Sequence, residues 1–159
     1  MSRLKNVKRS GFTLLEVMIV VAIVGIGAAL AYPNMIDMVH EYRLRSVARG
    51  VFSDLQEIKL LAVNEHVRTA VFVDEGNDTY TLFRDDNPED WNFDSGGGEL
   101  IRTVDVKAEG LEITCTAVSD TMGFNSRGVP DKFGTITIKL SAIREKKVVL
   151  SIAGNIRVE

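Results

Sequence analysis

The first apolar run of the chain is long enough to cross a membrane as a helix. It extends from Phe12 to Tyr32 and holds 17 apolar residues in 21. A helix of about 20 apolar residues spans the roughly 30 Å of hydrocarbon in a bilayer. Residues 12–32 are therefore predicted to form a transmembrane helix.

Beyond this run the helical period continues, but polar residues now share it. Apolar residues recur every three or four positions, at Leu44, Val47, Val51, Leu55, Ile58 and Ala62. This spacing predicts an amphipathic helix over 33–66, in which Pro33 should introduce a kink. Its polar side is expected to face solvent or another subunit and includes Glu41, Arg45, Arg49, Asp54, Glu57 and Lys59.

The period changes again after residue 66, where short runs with β-branched residues alternate with turn residues. Strands are predicted at Thr69–Asp74, Thr79–Arg84, Leu100–Val106, Leu111–Thr116, Thr135–Leu140 and Lys146–Ile152. Short strands at this spacing favour an antiparallel sheet. The amphipathic helix needs a partner for its apolar stripe, so we predict an α+β fold in which the long N-terminal helix packs on a β-rich domain of residues 67–159.

Charge is distributed unevenly along the chain. The net charge is −3, yet residues 1–11 carry four basic and no acidic residues, which leaves −7 for the rest. Basic residues ahead of an apolar span keep the N-terminus in the cytoplasm, so the β domain is predicted to lie across the membrane. An ordinary signal peptide has a shorter apolar run followed by its cleavage site, and here the small residue Gly11 precedes the run.

Glu16 is unusual because it lies five positions into the apolar run. A charged residue at mid-bilayer costs roughly 2.5 to 3.5 kcal/mol on insertion scales, so we expect a compensating partner. A free amino group at Phe12, on the same helix or on a neighbouring subunit, is one candidate. The alternative is that the carboxylate simply reaches the cytoplasmic interface.

The segment Lys8–Glu16 resembles the processing signal of type IV prepilins and pseudopilins: basic residues, Gly, a hydrophobic residue, Thr, two aliphatic residues and Glu. The resemblance implies that residues 1–11 are a leader, which prepilin peptidase removes by cutting between Gly11 and Phe12, and that the new Phe12 amine is N-methylated. It also implies that Glu16, together with Thr13, acts in assembly. The implied partners are other pilin or pseudopilin subunits, an inner-membrane assembly platform and, before assembly, membrane lipid. The implied location is the bacterial inner membrane, with one span and a periplasmic domain.

The C-terminal third is similar to the end of the GspH/FimT family of minor pilins and pseudopilins. The similarity rests on a Phe124-to-Gly128 turn, a strand from Gly134, and a closing Ser151-to-Arg157 hairpin. It implies a subunit of either a type IV pilus or a type II secretion pseudopilus, and these two alternatives remain open. Asn155 departs from the pattern, because many relatives have Arg there, which weakens the transfer of a binding role to this turn.

Other candidate sites are few. Arg144, Lys146, Lys147 and Arg157 could form a basic patch that binds DNA, although strand-edge charges that discourage aggregation are the more ordinary explanation. The acidic loop at 85–98 could hold a cation but lacks the spacing of a calcium loop. Cys115 is predicted to be a small core residue, and His40 and His66 are predicted to lie on the surface. The sequence therefore indicates no cofactor, no metal site and no catalytic set, and the chain is not expected to be an enzyme.

Overall fold

The computed structural model describes residues 11–85, 98–141 and 144–159, and in these ranges the side chains of all but 30–34, 85 and 141. One helix, α1, extends over Leu14–Glu65. Contacts within the chain divide it into a unit up to Val39 and a unit of His40–Glu159, which we call the head domain. The described helix residues include no stretch that is both long enough and apolar enough to cross a membrane.

Nine strands follow the helix in the described residues, and every pairing between them is antiparallel. They are β1 (Arg68–Asp74), β2 (Thr79–Asp85), β3 (Gly98–Asp105), β4 (Glu112–Cys115), β5 (Thr121–Phe124), β6 (Pro130–Lys132), β7 (Gly134–Ser141), β8 (Arg144–Leu150) and β9 (Ile156–Val158). The strands form two sheets, with orders β3-β2-β1-β5-β6 and β4-β7-β8-β9. The predicted α+β fold with a helix on an antiparallel domain is confirmed.

The second half of α1 buries one face in the head domain. Its buried side chains are each 1% exposed or less, at Leu44, Ala48, Val51, Leu55, Ile58 and Ala62. They share one core with residues of both sheets, among them Val71 and Phe124 of the first sheet and Ile136 and Leu150 of the second. The three- and four-residue spacing of the stripe therefore aligns the helix with both sheets at once.

The six predicted strands are present, with ends that differ by up to two residues. Three short strands, β5, β6 and β9, were not predicted. All four residues of β5 are buried, so they show no alternation of apolar and polar positions, and β6 begins at a proline. Ile152, predicted at the end of a strand, lies in the turn after β8 and is 70% exposed.

One prediction about the polar side of the helix is wrong. Asp54 was expected to face solvent or another subunit, but it is buried, with 8% exposure. It accepts hydrogen bonds from two side chains of the first sheet, which satisfy the carboxylate away from water. A polar residue can therefore lie on the core side of an amphipathic helix when the facing sheet supplies its partners.

Candidate functional site

The helix begins just after the residues that the sequence marks for cleavage. Gly11, Phe12 and Thr13 precede the helix, which begins at Leu14. Both Gly11 and Phe12 are exposed, and no atom lies within 4 Å of the place where a Gly11 side chain would begin. The Gly11–Phe12 peptide bond therefore lies in open, non-helical chain.

Thr13 caps the helix. Its Oγ1 accepts a hydrogen bond from the Glu16 backbone N–H at 3.2 Å, and its carbonyl oxygen accepts the first helical bonds. The sequence Thr-x-x-Glu is that of a capping box, in which the hydroxyl satisfies one of the free N–H groups of the first turn. Thr13 thus fixes the residue at which the helix begins, a role that the Thr-x-x-Glu spacing could have revealed.

Glu16 lies in the first turn of α1, among apolar side chains exposed all around the helix. From Leu14 to Ile26 the large apolar side chains are between 52% and 79% exposed. No described side chain pairs with the Glu16 carboxylate, which is itself exposed. A helix that is apolar on every side is typical of a membrane span or of the interior of a larger assembly.

Comparison with known proteins agrees with this geometry. Residues 6–32 match the model of the prokaryotic N-terminal methylation motif. A fimbrial protein of Pseudomonas aeruginosa is 31% identical over 108 residues, which cover 68% of each chain. The chain belongs to the type IV pilin-like family.

Two solved structures share its fold. The minor pseudopilin EpsH from the type 2 secretion system of Vibrio cholerae has a TM-score of 0.58 and 15% identity, over 74% of this chain and 96% of EpsH. The type IV minor pilin FimU of Pseudomonas aeruginosa has a TM-score of 0.54 and 17% identity, over 73% of this chain and 87% of FimU. The chain therefore shares its fold with these two proteins; its N-terminal motif implies processing by prepilin peptidase, and pilin-like proteins assemble with other pilin subunits.

A polar connection joins the helix of this pilin-like protein to its first sheet. The Tyr80 hydroxyl donates to Asp54 Oδ2 at 2.7 Å, and the Arg102 guanidinium donates to Asp54 Oδ1. Arg102 also reaches Glu57 at 3.3 Å. Burial, with the Asp54 carboxylate as second cause, raises the pKa of Tyr80, so its proton stays in place. These contacts orient the helix on β2 and β3.

The four basic residues considered for DNA binding do not share one face. Successive residues of a strand point to opposite sides, so Lys146 and Lys147 of β8 are separated by the sheet. Lys147 pairs with Glu145 at 2.7 Å, and Arg157 lies 3.7 Å from Glu159. Arg144 lies at the start of β8 and is half-buried. Neither this arrangement nor the comparisons support the DNA-binding alternative.

Lys146 instead contributes to a groove of about 360 Å³ between α1 and the second sheet. We call it the basic groove; its lining residues are Arg45, Arg49, Phe52, Lys146 and Val158. The sequence did not indicate it, because the two arginines and the lysine are about a hundred positions apart and meet only when β8 packs beside the helix. The acidic loop at 85–98 that was considered for cation binding lies outside the described residues except at its two ends, Asp85 and Gly98.

Cys115 was predicted to be a small core residue. It is half-buried and packs against the core, in which Leu111 and Ile113 are buried. Burial raises the pKa of the thiol to about 11, and its Sγ accepts a hydrogen bond from the Ala117 N–H at 3.4 Å. The reactive thiolate form is therefore rare at neutral pH. Of the two histidines, His66 is exposed and His40 is half-buried.

Proposed function

We propose that this pilin-like protein is a minor pilin or pseudopilin that is made as a precursor, anchored by residues 12–32, cleaved between Gly11 and Phe12, and built into a filament through its N-terminal helix. The observation that carries the proposal is the helix from Leu14 to Ile26, whose large apolar side chains are all more than half exposed in the single chain. Water does not stabilise such a surface. Lipid surrounds it before assembly, and the helices of neighbouring subunits surround it afterwards.

Processing at Gly11 is supported by the exposure and non-helical state of the two residues that the bond joins, Gly11 and Phe12. A peptidase needs room to bind the backbone around the bond that it cuts, and a helical hydrogen-bonded backbone would resist this. Cleavage frees the amine of Phe12, the residue that we propose is N-methylated. Phe12 is then the first residue of the mature chain and is two positions ahead of the helix.

The proposed role of Glu16 is to bind the N-terminal amine of an adjacent subunit. The carboxylate lies one turn from Phe12 and has no partner among the described side chains. In an apolar surrounding an unpaired carboxylate is costly, so a cation from a neighbour favours a defined position along the filament. Thr13 acts indirectly, because its cap sets where the first helical turn begins.

The proposal also covers membrane topology, the helix kink and the absence of enzymatic turnover. The basic leader keeps the N-terminus in the cytoplasm, the head domain lies in the periplasm, and the inner-membrane platform receives the mature subunit. Pro33 is proposed to kink the helix; its side chain is outside the described residues. We also infer that the subunit acts by assembly and has no enzymatic turnover.

Matched variants test the assembly role of Glu16. Glu16→Gln is expected to leave membrane insertion intact and to abolish or strongly reduce the amount of the protein in sheared filaments. Glu109→Gln removes an exposed carboxylate from the head domain and should assemble normally. Normal incorporation of Glu16→Gln would refute the role. Gly11→Ala should leave the leader attached, as measured by the mass of the purified chain, and a mature N-terminus at Phe12 would refute the cleavage site.

The two filament systems are distinguished in a deletion strain. Loss of secreted proteins with normal surface pili would assign the subunit to a secretion pseudopilus. Loss of pili with normal secretion would assign it to a type IV pilus. Each outcome is scored in parallel from the culture medium and from sheared cells.

A further inference from the structure

The basic groove holds positive charge that the described residues do not neutralise. Arg45 pairs with Glu41 at 2.7 Å. Among the residues that the structure describes, Arg49 and Lys146 form no ion pair. Arg49 is exposed and Lys146 is half-buried. The groove therefore presents two net positive charges, one from α1 and one from β8.

Apolar and amphipathic side chains accompany these cations. The half-buried Phe52 and the 41% exposed Val158 line the groove itself. A second cavity of about 240 Å³ shares Arg45 and Arg49 with the groove and is also lined by Tyr42, which is 73% exposed. A guanidinium group binds a phosphate in bidentate geometry, and a tyrosine ring is suited to the boundary between hydrocarbon and water. The combination is complementary to a ligand that has an anionic phosphate and an apolar remainder.

The exposed apolar surface of α1 continues beyond residue 32 toward these cavities. Three apolar side chains in this part of the helix are between 47% and 72% exposed: Met35, Met38 and Val39. Tyr42 is 28 positions after Leu14, or about 42 Å along a helix. A bilayer with its headgroup layers is about 40–45 Å thick. A helix that enters the membrane at Leu14 therefore brings Tyr42 to the far headgroup layer, and the two arginines of the groove follow within two turns.

We propose that the basic groove binds the phosphate headgroup of an anionic phospholipid and so holds the head domain at the membrane surface before assembly. Basic residues that follow a membrane-spanning helix are attracted to anionic lipid surfaces. A free phosphate ion would use the cations alone, whereas a lipid also places its carbon chain beside Phe52 and Tyr42. The proposal rests on the proposed membrane anchor and adds a second, electrostatic contact that the head domain makes.

Fluorescence quenching by a lipid-borne nitroxide tests the contact in the full chain. The chain with Ser53→Cys, in a Cys115→Ser background, is labelled with a small fluorophore and reconstituted into vesicles whose phosphatidylcholine carries some nitroxide headgroups. Ser53 is exposed and lies one helical turn after Arg49. Quenching should be stronger in vesicles with equal amounts of phosphatidylcholine and phosphatidylglycerol than in vesicles of phosphatidylcholine alone. A label at Glu112→Cys, on the strand at the other edge of the second sheet, should be quenched equally in both.

Removal of charge then tests the chemistry. Each basic residue near an anionic surface strengthens binding by about fivefold, so Arg49→Gln with Lys146→Gln should weaken the contact by about twentyfold to thirtyfold in a titration of phosphatidylglycerol content. Arg49→Lys retains the charge and should preserve the contact better than Arg49→Gln. Lys107→Gln with Arg127→Gln removes the same charge from exposed positions outside the groove and should leave the contact unchanged. Sodium chloride should weaken the contact by screening, and inorganic phosphate at the same ionic strength should weaken it no further.

Three results would overturn the proposal: quenching that phosphatidylglycerol does not increase, an increase that the groove variants retain, or displacement by inorganic phosphate, which would make a free anion the ligand. If phosphatidylglycerol has no effect and the Ser53→Cys label is shielded only in sheared filaments, the groove binds a neighbouring subunit instead. Flotation of the vesicles after alkaline extraction measures the anchor separately. Protein that is extracted counts against the proposed function and, with it, the lipid contact, whereas anchored protein with unchanged quenching counts against the lipid contact alone.

Discussion

The two halves of α1 have the same backbone structure and opposite relations to the rest of the chain. In the first half the large apolar side chains up to Ile26 are at least 52% exposed, whereas in the second half a stripe from Leu44 to Ala62 is 1% exposed or less. The second half belongs to the core of the head domain. The first half has no such partner among the described residues, which is why we propose lipid and neighbouring subunits as its surroundings.

The comparison predicts that core substitutions in the second half have the largest effect on stability. Ile58→Ala removes a fully buried side chain and should lower the free energy of unfolding by about 2 to 5 kcal/mol. Leu60→Ala, two positions away and 64% exposed, should cost less than about 0.5 kcal/mol. Denaturant unfolding of the detergent-solubilised chain, followed by circular dichroism, measures both. Equal losses would mean that the head domain does not bury this face as described.

A somewhat smaller loss is expected from the buried carboxylate on the same half. Asp54→Ala leaves the Tyr80 hydroxyl without its acceptor and Arg102 without its nearest carboxylate, so a loss of about 2 to 3 kcal/mol is expected. Glu57→Ala also removes a partner of Arg102, but from an exposed position, and should cost less than about 1 kcal/mol. A double-mutant cycle with Tyr80→Phe isolates the hydrogen bond. If Asp54→Ala and Glu57→Ala cost the same, the carboxylate is not buried.

Packing against the end of the helix is tested by two glycines with the same backbone angle. Gly128 and Gly110 both have φ of +73°, but a side chain at Gly128 would lie 2.7 Å from Val63 Cγ2, while at Gly110 nothing lies within 4 Å. Gly128→Ala should therefore cost about 1 to 3 kcal/mol more than Gly110→Ala, which carries only the backbone strain of about 1 to 2 kcal/mol. Adding Val63→Ala should recover part of the difference. If Val63→Ala recovers none of the lost stability, the contact with Val63 is not the cause of the loss at Gly128.

The smallest effect is expected at the start of the exposed half. Thr13→Ala removes the cap and should weaken the first helical turn by about 1 kcal/mol. Hydrogen exchange at the Glu16 and Val17 amides should become faster, while unfolding of the head domain should not change. Thr13→Ser keeps the hydroxyl and serves as the matched control. A change in head-domain stability would show that the two halves of the helix are more strongly coupled than their exposures indicate.

Periodicity in the sequence predicted the elements that repeat regularly. The apolar spacing from Leu44 to Ala62 predicted the buried stripe, and alternation predicted six of the nine described strands. It could not predict β5, which is buried throughout, or the division of the strands into two sheets, because pairing depends on residues far apart in the chain. Asp54 was misassigned for the same reason: its partner Arg102 lies 48 positions away on a strand, and nothing near Asp54 signals that contact.

The candidate processing site was predictable because it is a local signal read along the chain. Gly11, Phe12 and Glu16 are close in sequence, and a peptidase acts on extended chain, so their roles could be proposed before any fold was known. The basic groove is the opposite case. Its cations come from α1 and β8, and only the packing of the second sheet beside the helix brings Lys146 to the arginines.

The start of the helix at Leu14 has a consequence for the electrostatics of the mature chain. The aligned peptide dipoles give the first turn of a helix about half a positive charge. After cleavage before Phe12, the new cationic amine would lie only two residues ahead of that turn, where the dipole repels it. Glu16 is the acidic residue of the first turn and offsets both positive contributions. A carboxylate at this position would thus lower the electrostatic cost of the new N-terminal amine within its own subunit, before a neighbouring subunit binds.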